Sequence, residues 1–429
     1  MDRRWITAIA AVLALSGCVQ TAAAHRTSRP GAPAAAPLPV TAHAKASSPN
    51  PTLSATGSAS SPQSEAVVAG DNALGFALLA GLVQSNPGGN VLLSPPSLAF
   101  NLAMVYNGAG GATKEALARV LGVGTLSAEE INTANAAILG ELEHPGQGIT
   151  LDIADSLWSN DSFSIPSSFV HTSESYYQAQ VYKADFANPV VVAQINAWVS
   201  AHTGNRIPTM LQTIPGNTVL MLLNALYFHG SWAAAFDSTQ TRSATFTSPA
   251  GSLTIPMMSR TGLYAYGSTS GVQVVSLPYA GDTFRMDIIL PQPGSSLPTA
   301  DLGTDWSQWT SNLRTEEGTV ELPRFTISYS TELESALQAL GMGLAFSSEA
   351  NLQGICGASV GCQISTVEQK TYLSVDEQGT TAAAATGTGI TITAVMQPVF
   401  TFVANRPFLC AIVNNHTGMI VFLGAVVKP

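Results

Sequence analysis

The chain has 429 residues, of which 46% are hydrophobic and only 10% are charged, and its formal net charge is −10. This length and apolar content allow one large or two medium domains with a substantial core, and so few charges exclude a charge-rich disordered chain. The acidic balance argues against nucleic acid as a partner, and four cysteines are too few for a disulfide scaffold.

The N-terminus has the pattern of an export signal. Two arginines precede the apolar run 6–15, which is too short to span a bilayer and ends in small residues. The end of this run, LSGC at 15–18, resembles a bacterial lipobox, which implies a signal peptide over 1–17, cleavage before Cys18 and a lipid on its thiol. The alternative is an ordinary signal that is cleaved within 22–24.

The lipobox and the segment after it predict how the protein is anchored. Val19 favours, by analogy, sorting to the outer membrane, so we expect an exported, membrane-anchored lipoprotein on its periplasmic or surface side. Residues 18–65 are dominated by Ala, Pro, Ser and Thr, which cannot bury enough surface to offset the ordering entropy, so we predict a solvated tether. Residues 66–429 show no repeat or linker, and one domain is expected.

The folded part has helical patterns early and strand patterns late. Apolar residues recur with helical spacing at 72–84, 97–106, 113–121, 128–142 and 191–202. Alternating or continuous β-rich runs occur at 149–158, 218–228, 272–277, 286–290, 319–327 and 408–422. This distribution predicts an α+β fold around a large mixed β-sheet.

Hydrolase chemistry has no signature in this sequence. The stretch 267–271 has the spacing of a nucleophile elbow but places Thr269 at the nucleophile position. No lysine has a serine three positions before it, and the histidines show no metal-binding spacing. A triad assembled only in space would leave no such signature, so a hydrolase stays an alternative; we expect no enzyme activity, no metal and no cofactor.

Seven short segments, in order along most of the folded part, resemble the serpin family. They are NVLLSPPSL (90–98), INAWV (195–199), LNALYFHGSW (223–232), LPY (277–279), LPRF (322–325), NRPF (405–408) and FLG (422–424). The resemblance implies the serpin fold, an α+β domain with a large mixed β-sheet, surrounding helices, further sheets and an exposed reactive-centre loop.

The segment VDEQGTTAAAAT at 375–386 resembles the hinge of that loop in its inhibitory form. The implied hinge residues are Glu377, Gly379, Thr380, Ala382, Ala383, Ala384, Ala385 and Thr386. A strand that inserts into a packed sheet needs small, uncharged side chains, and no charge or proline occurs in 380–396. On composition alone the stretch would be an inert flexible loop, but the flanking motifs favour a hinge.

An inhibitory serpin is a suicide substrate of its target. The resemblance implies an inhibitor of serine, or cysteine, endopeptidases that traps the acyl-enzyme as a covalent complex when its cleaved loop inserts into the main sheet. The usual hinge spacing places the reactive bond at Thr393–Ala394, with cleavage after Ile392 or Met396 as alternatives. Thr393 favours an elastase-like or subtilisin-like target, whereas Met396 would favour a chymotrypsin-like one. A non-inhibitory serpin acting as a binding or chaperone-like module is the alternative function.

Five further residues match positions around the sheet opening of serpins. Ser94, Ser97 and Asn224 match a buried polar cluster, Gln369 takes the place of its usual histidine, and Trp232 matches the tryptophan where the loop enters the sheet. Ordinary buried polar residues and a core tryptophan would explain the same positions. Because glutamine both donates and accepts hydrogen bonds, we expect the network to persist without a titrating group.

The remaining cysteines and the basic residues give three smaller expectations. Cys356 and Cys362 lie just before the hinge strand, where a local disulfide is expected after export and a pair of metal ligands is the alternative. Cys410 lies among apolar residues and is expected to be a buried free thiol. The region 113–142 offers only two basic residues, so we expect no glycosaminoglycan binding, and we expect a monomer.

Overall fold

The computed structural model of the chain describes residues 41–42, 58–269, 271–357, 361–380 and 398–429, and all of these belong to one compact unit. The helices are α1 Pro62–Ser85, α2 Pro95–Gly108, α3 Gly111–Val120, α4 Ala128–Leu142, α5 Ser167–Tyr177, α6 Val190–His202, α7 Leu302–Ser311, α8 Glu334–Leu337 and α9 Gln353–Cys356, with short 3-10 or π turns at Ser238–Gln240, Gln338–Met342 and Gly343–Phe346. The strands are β1 Thr41–Ala42, β2 Val91–Leu93, β3 Ile149–Asn160, β4 Gln180–Ala184, β5 Leu220–Ser231, β6 Arg242–Ser248, β7 Gly251–Ser268, β8 Val272–Pro278, β9 Phe284–Pro291, β10 Arg314–Pro323, β11 Phe325–Glu332, β12 Thr366–Asp376, β13 Gly379–Thr380, β14 Phe400–Val403, β15 Phe408–Asn414 and β16 Ile420–Val426.

Local capping signals explain where two long helices begin. The Ser61 side chain accepts a hydrogen bond from the Ser64 N–H, and Pro62 lies in the first turn of α1, where proline is tolerated. α4 begins with a capping box, in which Ser127 and Glu130 each bond the other's backbone N–H. Since α1 begins at Pro62, the last four residues that we assigned to the tether are helical. The first turn of α1 consists of polar residues and proline, so the sequence shows no helical recurrence of apolar residues there and the start of the helix was missed.

Helix α1 is long and apolar enough to cross a membrane by length and composition alone. Its side chains Leu74, Leu78 and Leu79 are nevertheless almost fully buried in the main core of the protein. The core helix of a folded domain can satisfy the same criteria of length and composition. Because these side chains are buried, we assign α1 to the core.

Two sheets form the frame of the described chain. The large sheet has seven strands in the order β1-β4-β3-β5-β13-β12-β11. The second sheet has nine, in the order β14-β10-β7-β8-β9-β15-β16-β2 with β6 paired to β7. In the large sheet β5 pairs in parallel with β12 and antiparallel with β3. The large sheet is therefore mixed, and the predicted α+β architecture is confirmed.

The large sheet is buried on both faces along β5. The main core includes Leu222 and Phe228 of β5, and a second cluster under α6 includes Leu223 of β5 with Ile195 and Val199 of the helix. Strands buried on both faces carry continuous rather than alternating apolar residues. This explains why β5 carries apolar residues at consecutive rather than alternating positions on both sides of Asn224.

Several element boundaries differ from the sequence-based prediction. The run 319–327 covers parts of β10 and β11, which lie in different sheets and are separated by Arg324, and the run 408–422 is the hairpin of β15 and β16. The elements that periodicity did not predict are strands β1, β2, β4, β6, β7, β12, β13 and β14 and helices α5, α7, α8 and α9. Half-exposed strands such as β12 carry polar residues on one face, and in β12 even the buried positions include Gln369 and Thr371, so the apolar signal is weak.

Candidate functional site: the seam of the large sheet

The junction between β5 and β12, which we call the seam, is closed at one end and open at the other. The two strands pair directly from Met221–Thr366 to Tyr227–Tyr372. Beyond these pairs the strands separate, and Gly379 and Thr380 of β13 lie between them, antiparallel to both. The chain that leaves β12 therefore turns back at once into the open end of the seam.

Trp232 and Asp376 hold the turn that leads into the seam. The Asp376 carboxylate accepts the backbone N–H groups of Gln378 at 2.9 Å and Gly379 at 3.2 Å. The Trp232 indole donates to the Asp376 carbonyl at 3.0 Å, and its backbone N–H donates to the Gln378 carbonyl at 2.9 Å. The tryptophan predicted at the opening of the sheet thus contacts the backbone on both sides of the turn.

Gly379 and Thr380 fit the seam closely. A Cβ on Gly379, whose φ is +151°, would lie 2.1 Å from the Gly230 carbonyl oxygen, so no larger residue fits without a shift of the backbone. Thr380 is fully buried, and its hydroxyl lies 2.7 Å from the Tyr279 hydroxyl. Burial raises the pKa of Tyr279, which keeps this phenol neutral, and its ring stacks on Trp232 at 4.6 Å.

Glu377 anchors the chain just before the seam. Its carboxylate accepts a hydrogen bond from the Thr241 hydroxyl at 2.7 Å and lies 3.5 Å from the Arg324 guanidinium. Its carbonyl accepts the Phe236 N–H at 2.8 Å. Of the predicted hinge, the structure thus places Glu377, Gly379 and Thr380. Outside the described residues lie Ala382, Ala383, Ala384, Ala385, Thr386, Ile392, Thr393, Ala394, Met396 and Cys18.

The predicted polar cluster lies beneath the closed part of the seam. The Gln369 side-chain amide donates to the Asn224 side-chain carbonyl at 2.6 Å, which links β12 to β5 across the seam. Gln369 also donates to the Ser94 carbonyl and accepts the Ser94 N–H, both at 2.9 Å. Asn224 donates to the Ser97 hydroxyl. Glutamine thus fills both the donor and the acceptor role that we expected of it.

Asp155 belongs to the same cluster and was missed by the sequence analysis, so the expectation of a network without a titrating group is wrong. Its Oδ1 accepts hydrogen bonds from Ser97 at 3.0 Å, from Asn101 at 3.3 Å and from Asn224. Burial raises the pKa of Asp155 to about 8, and the bonds from Ser97 and Asn224 offset part of the effect. The available signal for this residue was its charge: it lies within the predicted strand 149–158, and the positions on both sides of it are buried.

The three cysteines within the described residues form a disulfide and a buried thiol. Cys356 and Cys362 are bonded to each other. Cys410 is free and buried, and burial raises the pKa of its thiol to about 12, so it is not a reactive thiolate at neutral pH. Within the described ranges no group of three or more His, Cys, Asp and Glu side chains could hold a metal ion.

Comparison with known proteins identifies this architecture. The family model described as "Serpin (serine protease inhibitor)" matches residues 69–429. The chain belongs to the serpin family. Among curated serpins, Serpin-Z7 of Hordeum vulgare is 35% identical over 372 residues, which cover 82% of this chain and 94% of that protein. Leukocyte elastase inhibitor of Bos taurus is 32% identical over 364 residues, covering 81% of this chain and 95% of that protein.

Solved serpin structures share the fold. The thermophilic serpin tengpin in its native state superposes with a TM-score of 0.78 at 28% identity, covering 86% of this chain and 95% of that one. Human thyroxine-binding globulin complexed with thyroxine has the same TM-score at 24% identity, covering 86% of this chain and 99% of that one, a likeness that concerns the fold alone. Relatives of this serpin include protease inhibitors, but the fold by itself does not decide inhibition.

Proposed function

We propose that this serpin is a suicide-substrate inhibitor of serine endopeptidases, with cysteine endopeptidases as a second target class. The target's nucleophile attacks the carbonyl of Thr393, the amine of Ala394 leaves, and an acyl-enzyme forms. The freed loop then inserts into the seam before water can hydrolyse the acyl bond. Trapping is therefore a kinetic competition between insertion and hydrolysis.

The position of β13 in the open end of the seam carries this proposal. Thr380 lies opposite Gly230 on one side and Val375 on the other. When this antiparallel register is extended one residue at a time, Thr386 comes to lie between Asn224 and Gln369, the pair that now bonds across the seam. Insertion would replace one parallel pairing with two antiparallel ones, which are slightly more stable per residue.

The side chains that would enter suit the inward face of the large sheet. Thr380 points into the core towards Tyr279, so the even-numbered residues that follow would point the same way. These are Ala382, Ala384, Thr386 and Thr388, all small and uncharged, before Ile390. A packed core accepts such side chains without displacing its neighbours.

The length of the seam also supports the proposal. In the extended register, Leu220 at the far end of β5 would pair with residue 390. Thr393 would then emerge just beyond the end of the strand, about 40 Å from the point where the loop enters. A protease bonded to Thr393 would be carried across the whole sheet, which gives the insertion a mechanical means to distort the active site.

The residue before the reactive bond suggests the target class. Threonine is small and uncharged, so a shallow apolar specificity pocket of the elastase-like or subtilisin-like type fits it, and a pocket with a buried carboxylate does not. Cleavage after Ile392 would leave this preference unchanged, whereas cleavage after Met396 would favour a chymotrypsin-like protease.

The test is incubation of the protein with pancreatic elastase, subtilisin and chymotrypsin. We expect an SDS-resistant covalent complex with elastase or subtilisin, and mass spectrometry should detect a released C-terminal fragment that begins at Ala394. Rapid cleavage without an adduct across this panel would contradict inhibition and favour a binding or chaperone-like role. Cleavage outside 390–396 would contradict the register.

The proposal includes anchoring of the inhibitor to the outer membrane through lipidated Cys18 and a tether. The lipobox and the composition of the following segment support it. Cells expressing the full chain should incorporate an alkyne-labelled fatty acid into the protein, and Cys18→Ala should abolish the label and release the protein from membranes. Equal labelling of both forms would contradict attachment at this residue.

A further inference from the structure

Two exposed apolar side chains lie side by side on the second sheet. Among the described residues the large apolar side chains with marked exposure are Val190 at 39%, Leu263 at 60%, Leu340 at 37% and Val399 at 73%. Leu263 of β7 lies directly opposite Glu317 of β10. On the other side of β10, the Val399 N–H donates to the Glu317 carbonyl at 2.8 Å. The two most exposed of these residues thus flank one carboxylate.

The pleat of the sheet places these three residues on one face. Phe400, next to Val399, is buried, stacks on Tyr266 at 3.7 Å and meets Tyr264 edge to face. Because side chains alternate along a strand, Leu263 points to the face opposite these rings, and Val399, whose backbone bond to Glu317 continues the ladder by one residue before β14, is exposed on the same face. Leu263 of β7, Glu317 of β10 and Val399, the residue that precedes β14, therefore form a row, which we call the β10 patch.

The charge of the β10 patch is unbalanced. Within the part of the chain that the structure describes, the Glu317 carboxylate takes part in no ion pair or side-chain hydrogen bond, whereas Glu321 further along β10 pairs with Arg242. The patch thus combines two apolar side chains with one free carboxylate. Such a surface fits a partner that presents an apolar side chain next to a lysine or arginine.

The position of the β10 patch in the chain indicates the partner. Val399 lies six residues after Thr393, so an extended chain separates them by at most about 20 Å. A stable protein–protein interface buries about 800 Å² on each side, which is more than a few loop residues in a protease cleft supply. The rim of a protease bound at the reactive bond therefore reaches this part of the sheet.

We propose that the β10 patch is a docking surface for the target serine protease, contacted by the rim next to the subsites for residues after the cleaved bond. This inference rests on the proposed inhibitory function. The patch lies on the second sheet and not at the seam, so it acts on the rate of association and leaves the partition between trapping and hydrolysis unchanged.

The test compares rate constants for covalent complex formation with elastase and with subtilisin. For the double variant Leu263→Ser/Val399→Ser we expect about a tenfold lower second-order rate constant with the protease that is inhibited faster, with unchanged stoichiometry of inhibition and unchanged melting temperature. The matched controls Val190→Ser and Leu340→Ser, which remove exposed apolar side chains elsewhere, should keep the wild-type rate. Glu317→Lys should weaken the salt dependence of the rate with a protease whose rim is basic.

Three outcomes would overturn the inference. A wild-type rate in the double variant would show that the patch does not contact the protease, while inhibition itself stands. A slower rate together with a lower melting temperature or a higher stoichiometry of inhibition would mean that the patch contributes to the stability or the loop insertion of the serpin itself, and not to protease binding. If the wild-type chain forms no covalent complex with any protease, the proposed function fails, and the docking surface fails with it.

Discussion

Asp155 is a carboxylate buried among neutral donors, and its proton affects stability. Burial raises its pKa to about 8 in the folded chain, above the value of 3.8 for an exposed aspartate. Below pH 4 both states are protonated, and the folded state is then favoured most. Between pH 4 and 8 the unfolded chain loses this proton and the folded chain keeps it, so stability falls as the pH rises, and above pH 8 the loss is complete.

The variant Asp155→Asn should remove this dependence, because the amide is neutral at every pH. We expect its melting temperature, relative to wild type, to rise by about 5–10 °C between pH 5 and pH 8, measured by differential scanning calorimetry. The exposed Asp161→Asn serves as the matched control for replacing an aspartate outside the core. Parallel curves for Asp155→Asn and wild type would contradict a buried, protonated Asp155.

Tyr279 and Thr380 form the hydrogen bond that holds the first residues of the hinge in the seam. In Tyr279→Phe the buried Thr380 hydroxyl loses its partner, which costs about 1–3 kcal/mol, so the melting temperature should fall by about 2–6 °C. Adding Thr380→Val, which replaces the hydroxyl with a methyl group, should recover most of the loss. If the losses in melting temperature of the two single variants simply add in the double variant, this hydrogen bond does not hold the hinge.

At the scale of elements, the register of β13 predicts which loop position meets the polar cluster. Thr386→Arg would place a long cation between Asn224 and Gln369 and block insertion at that point. We expect the reactive bond to be cleaved at the wild-type rate while the covalent complex is lost, with at least a tenfold rise in the stoichiometry of inhibition. The matched control Thr386→Ala should inhibit normally. Normal trapping by the arginine variant would refute the extended register.

The elements also show why the sequence-based prediction succeeded only in part. Helix α4 was predicted with its bounds because its buried residues recur with helical spacing behind a capping box. Strand β12, which forms one side of the seam, was not predicted from periodicity, because its outward face is polar and its inward face includes Gln369. The role of a strand in the seam depends on the strands that pair with it. Because β5 is far from β12 in the sequence, this pairing leaves no periodic pattern within the sequence of β12.

At the scale of the whole molecule, the direct parallel pairing of β5 with β12 can be replaced by two antiparallel pairings with an inserted strand, which predicts that the cleaved form is the more stable one. Limited proteolysis within 390–396 by a protease that is not trapped should let the loop insert as a new strand. The melting temperature should then rise by 10 °C or more, as measured by calorimetry. Cleaved Thr386→Arg provides the control and should show no such rise. An unchanged melting temperature in the cleaved wild-type chain would contradict insertion.

The sequence by itself determined the α+β class and the smallness of the hinge, because both depend on residue types at short or regular spacing, and the resemblance of its motifs to serpins indicated the family and four members of the polar cluster. Only the tertiary structure decided that Thr380 lies between β5 and β12, that Asp155 joins the cluster, and that Leu263 and Val399 flank Glu317. These features arise from strand pairing between distant segments. The same pairing sets burial, and burial rather than residue type raises the pKa of Asp155.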